Sequence, residues 1–259
     1  VKLHLKLGLA QKGTLDLNWV FLNLSGTCIP GGTLNASSAP GHSWFGKLRN
    51  NLTAILKTAG LKVGKETFRD LKDVSLATLD YGSGSTELNK LFGSSKGIAT
   101  NSVNVFLVRN INVAGTVGGM VLGVAGGIPG PYNRHGTIHS GVVLSAAAVC
   151  FEKYGYNTSH TLAHELGHYL GLFHNQESPT NPGLSYDKVI CSCPCGANLS
   201  CRTEGAKSWC RGEDPLSDTT TSTKNLMYYA AESTQMFDGN QLTPGQIRVI
   251  LNSPIVGHD

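Results

Sequence analysis

Long apolar runs are what this chain most lacks. None of its 259 residues lies in a stretch near the ~18 consecutive apolar positions that cross a bilayer as a helix, so no membrane span is expected. The most apolar stretch, 113–131, is broken by seven glycines and reads as strand and loop. Charge is scarce too, at 15% of residues against about 25% in ordinary domains. The 21 Lys and Arg outnumber the 17 Asp and Glu only slightly, and no Lys or Arg adjoins another. A net charge of +4 spread this thinly describes a solvated surface and excludes a nucleic-acid-wrapping protein. With 40% apolar residues the chain can bury a sizeable core, which excludes disorder as its ground state. The sequence opens on Val1 without a basic-then-apolar leader, as a mature or trimmed product would.

Cysteine is present in an odd number. Five of the seven, Cys191, Cys193, Cys195, Cys201 and Cys210, crowd into a Gly-, Pro- and Ser-rich segment, with Cys28 and Cys150 far upstream. The crowding predicts a disulfide-stapled loop made in an oxidising compartment, hence a secreted or cell-surface protein. At least one thiol has no partner within the chain. A structural zinc is the rival reading of the cluster, but its CxCxC spacing lacks the paired CxxC knuckles of ordinary zinc modules. Sequons at Asn23, Asn35, Asn51, Asn157 and Asn198 are compatible with secretion.

The pattern along the chain is α/β in the first two thirds. Residues 15–24 read as a first strand, and 104–108 and 141–144 as later ones. Residues 43–59 set Trp44, Phe45, Leu48, Leu52, Ile55 and Leu56 on one helical face, with Gly60 as the stop. Short strands are expected at 61–63 and 66–71, and a short helix at 87–92. A helix opens near Ser159 as N-cap and runs to about Leu170. Beyond His174 periodicity fades until a helix at 244–251, whose start, Thr243-Pro244-Gly245-Gln246, is a capping box with proline at the first position.

Residues 164–168 read HELGH. Four residues advance a helix by about 400°, so His164 and His168 lie on one face where both imidazoles can reach one ion at roughly 2.0–2.1 Å. Glu165 sits beside them, placed to contact water without ligating. A third histidine, His174, follows six residues later, and a straight helix would carry it to the wrong side. Gly171 lies between them and can end the helix, adopt positive φ and swing His174 back. The full HExxHxxGxxH pattern is thus a geometric solution for three ligands around one zinc. His160, one turn earlier, is expected at a cap or on the surface, and Leu162, Leu166, Leu170 and Leu172 are packing residues.

This motif resembles that of the metzincin clan of zinc peptidases. The resemblance implies a methionine turn beneath the metal, and NLMYY at 225–229 fits it, with Met227 as an apolar floor. It further implies that Tyr229 borders the zinc and steadies the transition state, Tyr228 taking that place if the turn is shifted. Within the clan the chain is most similar to the pappalysin-like family. GEDPLSDT at 212–219 resembles that family's GDxVxDTP, and 225–229 its N-[FLY]-M-x-Y. The order of strand, Gly/Pro stretch and strand before the zinc helix also matches, so that the likeness spans roughly residues 100–252. Calcium at Asp214, Asp218 and Thr219 is implied by the same likeness. Where relatives carry acidic residues and a cysteine after the methionine turn, this chain has Ala230-Ala231-Glu232-Ser233-Thr234. That disulfide is therefore absent, and a preference for basic cleavage sites is not implied.

The resemblance implies a twisted mixed sheet with backing and zinc-binding helices above it, and a smaller, irregular, disulfide-stapled C-terminal subdomain with a terminal helix. The expected division is 1–174 and 175–259. The expected activity is zinc-dependent endopeptidase action on a protein or peptide substrate. A non-proteolytic zinc-binding adhesin on the same scaffold is a second reading, against which the intact Glu165 counts. A latent zymogen whose spare thiol caps the zinc is a third.

Overall fold

The computed structural model describes residues 12–81, 86–98, 101–113, 121–154, 157–175, the strand residues 201–204 and 207–210, residues 216 and 218, 222–228 and 241–257. Its organising feature is a sheet buried on both faces. In strand β1 (Gly13–Phe21), Leu15, Leu17, Trp19 and Phe21 enter one core cluster, while Val20 enters a second on the opposite face. Strand β2 is Leu61–Asp70, β3 Thr78–Tyr81, β4 Ser102–Val108, β5 Asn110–Val113, β6 Gly123–Ala125 and β7 Val142–Ser145. In β4, Val103, Val105 and Leu107 join the first cluster, and Phe106 and Val108 the second. Such two-sided burial explains why these strands read as nearly continuous apolar runs.

The sheet order is β2-β1-β4-β7-β6. All pairings are parallel except that of β6 with β7, so the sheet ends in a short antiparallel strand. Asn18 and Asn104 are buried register partners, and the Asn18 amide donates to the Asn104 oxygen at 3.2 Å, so a polar pair is satisfied inside the sheet. Sequence patterning had split β2 in two. It is one strand, with a register shift opposite Leu15–Leu17, and Gly64 lies against the Asp16 carboxylate, where a Cβ would be 2.2 Å from Oδ1.

Helix α1 (Ser43–Thr58) buries the expected face on the first cluster. Helix α2 is Thr86–Gly93 and α3, the histidine helix, is Thr158–Tyr169. Helix α4 (Pro244–Asn252) carries the capping box as expected. The chain then returns to β1, where Thr14 and Gly257 exchange backbone hydrogen bonds at 2.8 Å each way. Residues of both expected halves share the first core cluster, among them Leu226, Met227, Ile250, Leu251, Ile255 and Val256.

Four features were not expected. Strands β3 and β5 form a parallel pair of their own, and a 3-10 stretch at Ala146–Tyr154 precedes α3. Strands β8 (Cys201–Glu204) and β9 (Lys207–Cys210) form an antiparallel hairpin in the region read as aperiodic. The fourth is a disulfide that joins Cys28 to Cys150, outside the crowded cluster. Cys191, Cys193 and Cys195 lie outside the described residues, and Cys201 and Cys210 are backbone partners across the hairpin.

Candidate metal centre

The histidine helix is anchored before it begins. Asn157, not Ser159, is its N-cap, and the Asn157 Oδ1 accepts from the Ser159 and His160 N–H groups at 3.0 and 3.3 Å. The Thr158 hydroxyl donates to Glu152 at 2.6 Å, and the other oxygen of Glu152 accepts from the Trp44 indole at 3.1 Å. Glu152 thereby ties α3 to α1, and the Cys28–Cys150 disulfide holds the same 3-10 stretch from the other side. His160 is buried in the first turn instead of capping or facing solvent.

At its far end α3 stops in a Schellman arrangement. The Gly171 N–H donates to His168 O and the Leu172 N–H to Gly167 O, both at 2.9 Å, with Gly171 at φ +112°. The turn does two things. It brings His174 back, its Nε2 lying 3.2 Å from His164 Nε2 and 3.0 Å from His168 Nε2. It also points the Leu172 carbonyl at His168 Nδ1, 2.8 Å away, while the Leu226 carbonyl stands 2.8 Å from His164 Nδ1.

A carbonyl only accepts, so each of these Nδ1 atoms carries the proton and leaves its Nε2 lone pair facing the cluster. Tetrahedral ligation at about 2.0–2.1 Å sets nitrogens about 3.3 Å apart. Three imidazoles converging at 3.0–3.2 Å, two of them with fixed tautomers, fit a zinc ion. Burial above all, then the neighbouring His168 and His174 rings, holds His164 well below the ordinary imidazole range, which keeps it neutral.

Glu165 is buried between α3 and β6. A Cβ at Gly123 would stand 2.7 Å from its Cγ, so only glycine lets the edge strand pass this close. Burial raises the Glu165 carboxyl to about 8, and a hydrogen bond from the Ala125 backbone offsets part of that. Gly130 lies under the Tyr169 ring, and the Tyr169 hydroxyl donates to Pro131 O at 3.1 Å. The segment after β6 is thus fastened to the end of α3.

Met227 is fully buried against the histidine helix. Gly167 makes room for it, since a Cβ there would be 2.5 Å from the Met227 sulfur. Asn175 joins the end of the motif to this turn, its N–H donating to Met227 O at 3.1 Å and its side chain to Ser222 O at 2.9 Å. Tyr228 is half-buried, whereas Tyr229, Asp214 and Thr219 lie outside the described residues. Asp218 accepts from the Gly245 N–H at 2.6 Å, in the first turn of α4. Gly167, Asn175 and Gln246 were not read as site residues, and Gly123 and Asn225 only as parts of the Gly-rich stretch before the zinc helix and of the methionine-turn motif. For the two glycines the signal was their place inside HELGH and on the strand facing it; Gln246 carried only that of a capping box, Asn225 only that of the methionine-turn motif, and Asn175 none of its own.

The model of peptidase family M43, described as pregnancy-associated plasma protein-A, matches residues 100–249. No curated protein matches the sequence. Among solved structures, metalloproteinase-II from Bacteroides fragilis aligns over 94% of this chain and 54% of its own, with a TM-score of 0.48 and 16% identity. The chain therefore spans about half the length of that protein.

Proposed function

Because this chain belongs to peptidase family M43, the pappalysins of the metzincin clan, we propose that it is a zinc-dependent endopeptidase. In this reading His164, His168 and His174 hold the metal and Glu165 is the general base. The observation that carries it is the convergence of three Nε2 atoms beside a buried carboxylate. A zinc ion held there supplies Lewis acidity, lowering the pKa of water toward about 7 and polarising the scissile carbonyl.

The remaining work falls to the chain's own groups. The ionised form of Glu165, which the charge of a bound cation would favour, takes the proton of the attacking water and delivers it to the leaving amine, as base and then acid. The Ala125 N–H and the glycine backbone of β6 hold that carboxylate in one place. Among the described residues β6 ends one side of the sheet, and an extended substrate can add along its far edge by backbone hydrogen bonding. Tyr229 is proposed to hydrogen-bond the developing oxyanion. Calcium at Asp214, Asp218 and Thr219 rests on the sequence pattern; a carboxylate has acceptor capacity for both Gly245 and a cation. The Cys28–Cys150 disulfide suits an oxidising, extracellular setting.

The test is cleavage of denatured casein by the parent chain and by Glu165→Ala, with zinc content measured on both. The expected result is cleavage by the parent that a chelator abolishes, and a variant that keeps zinc but loses activity by about 10²–10⁴-fold or more. If both bind zinc and neither cleaves, the peptidase reading gives way to the binding-protein one.

A further inference from the structure

Gln246 was legible only as the closing residue of the α4 capping box, and it fills that role, its Oε1 accepting from the Thr243 N–H at 3.1 Å. The same side chain also reaches out of the helix. Its Oε1 accepts from Asn225 Nδ2 at 2.8 Å, and its Nε2 donates to Asn225 Oδ1 at 3.3 Å. Both amides are buried, Gln246 at 0% and Asn225 at 3% exposure, so their pairing satisfies polar groups that water does not reach. Asn225 Oδ1 accepts in addition from the Met227 N–H at 2.9 Å, closing the turn on whose crest lies Leu226. The Leu226 carbonyl is the one that faces His164 Nδ1.

We infer that Gln246 is a positioning residue for the metal centre: through Asn225 it fixes the Leu226 carbonyl that orients the His164 imidazole. The inference rests on the zinc reading above. Partners that orient ligand imidazoles typically contribute 10–100-fold to metal affinity, and a residue one bond further out belongs near the lower end. The rival account is that Gln246 only caps α4, the turn being held by backbone bonds such as Leu226 N–H to Gln241 O at 2.8 Å.

Three variants of the full chain separate the two. Thr243→Val removes the capping hydroxyl from the same helix turn and leaves Asn225 untouched. Gln246→Leu removes the cap and the amide pair together. Gln246→Glu keeps the oxygen that accepts from Thr243 and Asn225 but loses the donor to Asn225. Each is stripped of metal, then titrated with cobalt, followed by its visible spectrum, and with zinc against a competing chelator, alongside thermal melts. Expected are a lowered Tm with near-parental affinity and cobalt spectrum for Thr243→Val. For Gln246→Leu the expectation is about tenfold weaker zinc binding and an altered cobalt spectrum, with a smaller loss in the same direction for Gln246→Glu. Should Gln246→Leu fail to fold, Gln246→Glu carries the test alone, and parental affinity and spectrum in it overturn the inference. Equal affinities and spectra in Thr243→Val and Gln246→Leu overturn it as well. A parent that binds neither metal would instead sink the zinc reading on which it stands.

Discussion

Glu165 stands where two demands meet. Burial that excludes water from the carboxylate also makes its ionisation costly, and the carboxyl rises from 4.5 to about 8. In the unfolded chain it ionises near its ordinary value. Below pH 4.5 both states hold the proton and the group contributes nothing to stability. As pH climbs toward 8 the unfolded chain releases its proton first, and the fold loses stability until the folded carboxyl ionises too. Replacing the carboxyl with an amide removes this dependence. In metal-stripped protein, Glu165→Gln is expected to melt with the parent at pH 4 and about 5 °C or more above it at pH 9, read by thermal melts across that range. Coincident melting curves at both ends would show that the buried carboxyl costs the fold nothing.

At the scale of elements, the end of α3 decides whether three histidines meet. Gly171 has φ +112°, and a Cβ there would meet only Val249 at 3.3 Å and Pro129 at 3.8 Å, so an L-side chain is opposed by backbone conformation more than by crowding. Gly171→Ala is expected to lose about 1–3 kcal/mol of stability and at least tenfold in zinc affinity, measured by denaturant unfolding and chelator competition. A stability loss with unchanged affinity would mean that His174 returns to the cluster by another route.

This turn was readable in advance because the reason for it is local: a glycine at fixed spacing between two ligands. The faces of α1 and the cap of α4 were readable for the same reason, a period of 3.6 and a four-residue motif. Strand β2 was split because its apolar alternation lapses where Gly64 accommodates Asp16. The hairpin β8–β9 was missed because four-residue strands such as CRTE and KSWC offer no alternation to detect. Ser159 was taken for the cap where Asn157 serves, two residues earlier and equally suited by residue type. The Asn225–Gln246 pair joins positions 21 residues apart on unrelated elements, and no single-sequence pattern marks such a contact.

For the molecule as a whole, the Cys28–Cys150 bond spans 122 residues and fastens the loop after β1 to the approach to α3. It joins the two cysteines that stand apart from the crowded downstream cluster, and nothing in the spacing of Cys28 and Cys150 marked them as partners. Closing so long a loop removes much disorder from the unfolded state, for about 2–4 kcal/mol. The double variant Cys28→Ser/Cys150→Ser is expected to melt roughly 5–15 °C lower by calorimetry, with a smaller effect on zinc affinity than Gly171→Ala. A larger effect on affinity than on melting would make the bond part of the metal centre instead of its scaffold.

The order in which the chain is synthesised gives the Thr14–Gly257 bridge one more meaning. On a ribosome the three histidines are made well before Leu226, Gln246 and the tail that seals α4 against the first strand. Until those residues emerge, His164 lacks the carbonyl that sets its tautomer and Gly167 lacks the Met227 side chain that packs against it. The ligands of the metal centre are therefore made before the residues that support them, and the centre is complete only once the chain has been extended through Gln246 and Gly257.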